Sequence, residues 1–333
     1  MRRIFLIATT TLAIAATLGC AAAQDRPIRD AIKERRAARA AAPAAPSSVA
    51  GMQLVEMSFQ GRPRSYYVYV PRGAQGRGGL SAVMVLHGGQ GSGEGIASTT
   101  GMTSAADQVG FVALFPNSDG KQWNDGRAST RSNIDDVGFL RAVIADASAR
   151  FGVDSSRVFA SGLSNGGLMT QRLACDAAGS FRAFGVVVAN MPADLRASCS
   201  PARPVPMMFF NGTADNLMPY AGGEIKSLKA LGMGAGGEVL SYEQTKAFWA
   251  GVDGCGGSTG QVAVPDRAKD GTEVSVEQFR SCSGGAELTF YTVEGGGHTW
   301  PGSAGGRSRM SGAVTQDISA TSELVRFFGR YGL

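Results

Sequence analysis

Short apolar runs alternate with helix-like stretches along most of residues 51–333, and this alternation limits the fold more than any single motif does. RSYYVYVP (64–71) is aromatic and β-branched and stops at Pro71, which reads as a strand. LSAVMVLHGG (80–89) is a continuous apolar run ending in glycines, the pattern of a strand buried on both faces. GFVALFPN (110–117), SSRVFASG (155–162), FGVVVANM (184–191), VPMMFFNGTAD (205–215) and AELTFYTVEGG (286–296) read as further strands. Helices are expected over 104–109, NGGLMTQRLACDA, 241–250 and TSELVRFFGRYG. The clearest helix follows Asp135. There Val137, Leu140, Val143, Ile144, Ala147 and Phe151 recur at three- and four-residue steps, and Asp135 and Asp136 suit its N-terminus. Strands alternating with helices imply an α/β fold with a mostly parallel central sheet covered on both faces. Ligands of such sheets bind at the carboxyl ends of the strands, so chemistry is expected there.

Residues 158–174, VFASGLSNGGLMTQRLA, place Gly-x-Ser-x-Gly between a strand and a helix. A turn that sharp strains the serine backbone and leaves no room for bulky neighbours, so Gly162 and Gly166 make it feasible and Ser164 stands above the sheet. Two more polar groups follow strand ends: Asp215 after MMFFNGTA and His298 after TFYTVEGGG. A serine hydroxyl needs a base to become a nucleophile, and a histidine oriented by a carboxylate supplies one. The chain order Ser, Asp, His is that of the α/β-hydrolase triad. An oxyanion hole would use the backbone N–H of Asn165 and a donor from LHGGQG (86–91), with Gly89 preferred and Gln90 its rival. His87 competes for the role of base, but its place before the glycine pair suits a residue that holds the loop. Asp194 and Asp253 are weaker candidates for the acid because neither follows a strong strand. Trp123 and Trp300 are candidates to line a substrate pocket, against a plain packing role.

These residues carry a family resemblance. RSYYVYVP, VLHGGQGS, GFVALFPN, WNDGR, DDVGFL, SGLSNGGLMTQRLAC, NGTADNLMPYAGG and GGGHTWPG span about residues 55–302. With them the chain resembles the secreted esterases that include polyhydroxybutyrate depolymerases and feruloyl or acetyl-xylan esterases. The resemblance implies an α/β-hydrolase fold and hydrolysis of hydroxyalkanoate, feruloyl or acetyl esters without cofactor or metal. It puts nucleophile, acid and base on Ser164, Asp215 and His298. Asn211 departs from the family pattern, which often has His before Gly-Thr-Ala-Asp. The expected partner is an ester substrate, small, oligomeric or amorphous polymeric. A secreted serine peptidase of the same fold and a non-catalytic polymer-binding surface protein are the alternatives.

The chain ends belong to a different regime. Arg2 and Arg3, an apolar run from Ile4 to Leu18 and Ala21-Ala22-Ala23 make a signal peptide over 1–23, too short in its apolar part for a stable membrane span. Cys20 raises lipid anchoring as an alternative, disfavoured by the missing Leu three residues earlier. Residues 24–50 form an Ala/Arg/Pro-rich arm with too few large apolar groups to bury. The charge of +5 resides in signal and arm, so residues 51–333, a single catalytic domain, are near neutral and offer no field for a nucleic acid. Secretion or a periplasmic location follows, and Cys175, Cys199, Cys255 and Cys282 then suggest two disulfides. Three pairings are open, and the local ones, Cys175–Cys199 and Cys255–Cys282, are favoured. The oligomeric state is not legible.

Overall fold

The computed structural model describes residues 49–226, 236–304 and 310–333; the expected signal peptide and nearly all of the arm lie outside the described residues. In chain order the strands are β1 (Gln53–Phe59), β2 (Arg62–Tyr69), β3 (Leu80–Leu86), β4 (Val112–Pro116), β5 (Val153–Leu163) and β6 (Phe184–Val187). They continue with β7 (Met207–Gly212), β8 (Gly223–Glu224), β9 (Glu238–Val239), β10 (Val262–Ala263), β11 (Glu273–Phe279) and β12 (Leu288–Glu294). The α-helices are α1 (Gly93–Thr100), α2 (Met102–Val109), α3 (Asp136–Phe151), α4 (Asn165–Asp176), α5 (Ala193–Arg196), α6 (Tyr242–Val252) and α7 (Ala320–Gly329).

A ten-stranded sheet runs in the order β1-β2-β4-β3-β5-β6-β7-β12-β11-β10. From β4 to β12 every pairing is parallel, whereas β1-β2, β2-β4, β12-β11 and β11-β10 are antiparallel. The mostly parallel sheet is therefore as expected, with antiparallel additions at both edges. β8 and β9 pair separately.

The apolar runs work because side chains alternate across a strand. All of β3 is buried: Ala82, Met84 and Leu86 enter one core layer, and Val83 and Val85 enter the other. β7 divides likewise, Met207 and Phe209 on one face, Met208 and Phe210 on the other. Residues of α3, α4 and α6 fill the first layer, including Phe139, Val143, Leu168 and Trp249. Residues of α1, α2 and α7 fill the second, including Ile96, Met102, Leu324 and Phe328. Burying a side chain of that size contributes roughly 1.5–3 kcal/mol, which the two layers repeat many times.

Two disulfides close loops on this frame, Cys175–Cys199 and Cys255–Cys282, the local pairing. Among the described residues no helix is long and apolar enough to cross a membrane.

Candidate active site

β5 ends at Leu163 and α4 begins at Asn165, so Ser164 alone makes the turn. Its φ of 56° and ψ of −120° lie where side-chain-bearing residues rarely sit, a strain of order 1–3 kcal/mol that the surroundings must hold. The glycines around it are required by contact. A Cβ on Gly162 would lie 2.3 Å from the Gly166 carbonyl oxygen, and one on Gly166 would lie 2.3 Å from that of Leu86. The Ser164 N–H donates to Val187 O at 2.9 Å, tying the elbow to the neighbouring strand end.

Asp215 and His298 come from the loops after β7 and β12, which are adjacent in the sheet. His298 Nδ1 lies 2.7 Å from Asp215 Oδ2. The other oxygen, Oδ1, accepts the backbone N–H groups of Leu217 and Met218, both at 2.8 Å. The carboxylate is thus fixed on both sides. The Asp215 side chain is 2% exposed and that of His298 is 11%, so the imidazole faces the solvent-connected side of the pair. Asn211, the departure from the family pattern, lies behind this loop. Its Nδ2 donates to Asn190 Oδ1 at 2.7 Å, and Asn190 Nδ2 donates to Pro219 O at 2.9 Å.

Ser164, Asn165, Gly89 and His298 all line one cavity of about 210 Å³. Leu163, Leu168, Leu217, Met218, Ile225 and Met310 supply apolar walls, and Gly88, Gln122, Arg127 and Lys226 complete the described lining. The rivals are sorted by their hydrogen bonds. The Gln90 N–H is committed to Lys121 O at 2.7 Å and Gln90 does not line the cavity, whereas Gly89 does, beside Gly88. His87 is buried; its Nε2 accepts the Ser118 N–H at 3.1 Å and its Nδ1 sits 2.7 Å from Gly88 O. Burial holds its pKa below the ordinary histidine range, so it is a neutral loop support. Asp194 Oδ2 accepts the Ala128 N–H and Asp253 Oδ1 the Val205 N–H; neither lines the cavity.

Two expectations are corrected. Trp123 and Trp300 do not line the cavity. Both are buried, and each indole N–H already has a partner: His87 O at 2.9 Å for Trp123 and Thr321 Oγ1 at 3.0 Å for Trp300. Their area serves packing, and their one donor serves the His87 loop for Trp123 and the first turn of α7 for Trp300. The apolar walls at Leu217, Met218 and Ile225 escaped sequence reasoning, because those residues lie in irregular chain with no period to reveal which way they face.

A family model described as "Esterase PHB depolymerase" matches residues 64–201. The relative described as "Putative esterase NocK", from Nocardia uniformis subsp. tsuyamanensis, is 30% identical over 279 residues, covering 82% of this chain and 81% of its own length. The chain belongs to the PHB depolymerase esterase family. This family member is also 28% identical to "Feruloyl esterase B" of Piromyces equi, over 71% of this chain and 42% of that protein. It is 28% identical to "Poly(3-hydroxybutyrate) depolymerase" of Ralstonia pickettii, over 69% of this chain and 50% of that one. It therefore spans half or less of those two relatives. An acetyl xylan esterase from Aspergillus awamori shares the fold, with a TM-score of 0.55 at 17% identity over 83% of this chain and 99% of that structure. The esterase is accordingly a carboxylic-ester hydrolase by family and an α/β-hydrolase by fold.

Proposed function

We propose that this esterase cleaves its substrates through an acyl-enzyme on Ser164. His298 removes the hydroxyl proton as Ser164 attacks the ester carbonyl, and Asp215 holds the imidazole and steadies its positive charge. The backbone N–H groups of Asn165 and Gly89 receive the oxyanion. His298 then returns the proton to the leaving alcohol, and water repeats the sequence to release the acid. The observation that carries this reading is the 2.7 Å Asp215–His298 contact opening on the same cavity as a serine in a strained strand-to-helix turn.

Among the described residues the cavity lining is aliphatic or methionine where it is apolar, and no Phe, Tyr or Trp side chain lines it. That favours acetyl or hydroxyalkanoate esters over feruloyl esters. Two closed disulfides support an oxidising location, hence secretion or a periplasmic site for a single catalytic domain over residues 51–333. A hydrolysis panel of short p-nitrophenyl esters, methyl ferulate, acetylated xylan and hydroxybutyrate oligomers tests the substrate. The expected ranking puts short aliphatic esters first, and methyl ferulate ahead of them would contradict it. Stoichiometric thiol labelling of Cys175, Cys199, Cys255 or Cys282 in the unreduced, folded protein would contradict the oxidised state.

A further inference from the structure

The residue that bears one proposed oxyanion donor is held by a loop with no catalytic role of its own. Asn165 Oδ1 accepts the Trp123 N–H at 2.8 Å, and its Nδ2 donates to Trp123 O at 3.2 Å and to Asp125 Oδ2 at 2.6 Å. The Trp123 indole N–H donates to His87 O, on the residue just before Gly88 and Gly89. One loop therefore grips both halves of the oxyanion site, the start of α4 and the end of β3.

Asp125 lies at the centre of this grip. It is fully buried, yet its charge is matched on every side. Arg127 Nε lies 3.0 Å from each carboxylate oxygen, and Nη2 donates to Oδ2 at 2.7 Å. Thr130 Oγ1 donates to Oδ1 at 2.6 Å, and the Arg127 N–H to the same oxygen at 3.2 Å. A buried carboxylate so fully paired is rigid, because losing any one partner leaves charge uncompensated. The loop is anchored again next door, where Asp136 Oδ2 accepts the Asn124 N–H at 2.8 Å and Oδ1 pairs with Arg64. Arg127 also donates to Gly236 O and lines the cavity, so the same pair braces its wall.

We infer that Asp125 is a positioning residue for the oxyanion hole, fixing the Asn165 backbone N–H through the Asn165 side chain. This rests on the assignment of Ser164 as nucleophile and of that N–H as oxyanion donor. A shift in one donor weakens binding of the tetrahedral intermediate while leaving the ground-state ester nearly untouched.

Steady-state kinetics with a short p-nitrophenyl ester and inhibition by a short alkylboronic acid, which forms a tetrahedral adduct on a serine, test this. Asp125→Asn keeps the shape and removes the charge. It should lower kcat by about 10- to 100-fold, below the cost of losing an oxyanion donor outright, with KM within about twofold. The boronic acid Ki should rise by a similar factor. Asn165→Ala keeps the backbone donor and the Asp125–Arg127 pair but cuts the link, and should give the same pattern. The double variant should be no worse than the weaker single, because both cut one connection. A folded Asp125→Asn with unchanged kcat, or losses that multiply in the double variant, would overturn the inference. If Asp125→Asn does not fold, Asn165→Ala decides, and unchanged kcat there overturns it too. Ser164→Ala separates the failures: activity surviving it removes the underlying assignment, whereas activity lost with it but kept in Asp125→Asn removes only this inference.

Discussion

The chain has two histidines, and both stand just beyond the carboxyl end of a parallel strand in the same sheet. Their loops differ in what the imidazole meets. After β3, His87 is enclosed, its ring tilted against that of Trp123 with centroids 5.0 Å apart, and both nitrogens face backbone groups, Gly88 O in its own loop and the Ser118 N–H of the next. After β12, His298 meets a carboxylate on one nitrogen and keeps its other edge toward the cavity that Ser164 lines. A ring that bonds only to backbone can hold a loop but has no carboxylate to steady an imidazolium. A ring between Asp215 and an open cavity can cycle its charge. On the proposed mechanism, chemistry thus follows from the partner rather than from the residue type or its place on the sheet.

The sharpest way to break this contrast is to remove each ring in turn. His298→Ala should cost about 10⁴-fold or more in kcat on a short ester, as expected when the base of a triad is lost. Comparable activity in a folded His298→Ala would end the contrast. Asp215→Asn should come next, at about 10²–10⁴-fold, felt in kcat more than in KM because the imidazolium exists only along the reaction path. Loss confined to KM would instead make Asp215 a substrate-binding group.

His87→Gln should act mainly on stability. It leaves the Ser118 N–H and Gly88 O imperfectly paired in a buried place, at about 1–3 kcal/mol, readable in a denaturant midpoint. Its kcat should fall by less than about 10-fold. The smallest effect is in pH. Burial lowers the His87 pKa in the fold, so below about pH 6.5 the unfolded chain binds the proton more readily than the native one. Stability is then fully present above that pH and is lost as pH falls through it. His87→Gln should be less stable at pH 8 yet lose less between pH 7 and pH 5. An equal slope in the two proteins would show that His87 titrates normally.

The loops' conspicuous residues were legible, as was the supporting place of His87, and the other supports were not. β3, β4, β5, β7 and β12 announce themselves because strands buried on both faces must be apolar throughout, and the residues just past their ends then stand out. The antiparallel strands toward the sheet's ends carry no such signal: β1 is exposed at most positions and β11 only half-buried. α1, GEGIASTT, is rich in poor helix formers and forms because Ser92 caps it and Gly101 closes it in the left-handed region. Trp123 shows the same limit at the site. Its sequence neighbourhood suggests an exposed pocket aromatic, but its backbone and indole bind Asn165 and His87, contacts 42 and 36 residues away along the chain. A spacing rule sees residues at strand ends. It does not see a buried hydrogen-bond network assembled from four loops.

The most direct test follows formation of the covalent adduct itself. The unreduced enzyme is treated with an alkyl fluorophosphonate, and the rate and site of modification are read by mass spectrometry for wild type, His87→Gln and His298→Ala. The account predicts stoichiometric modification of Ser164 in wild type, retained modification with a modest slowing in His87→Gln, and modification slowed by orders of magnitude in His298→Ala. Rapid labelling of Ser164 in His298→Ala, together with its loss in folded His87→Gln, would contradict the account.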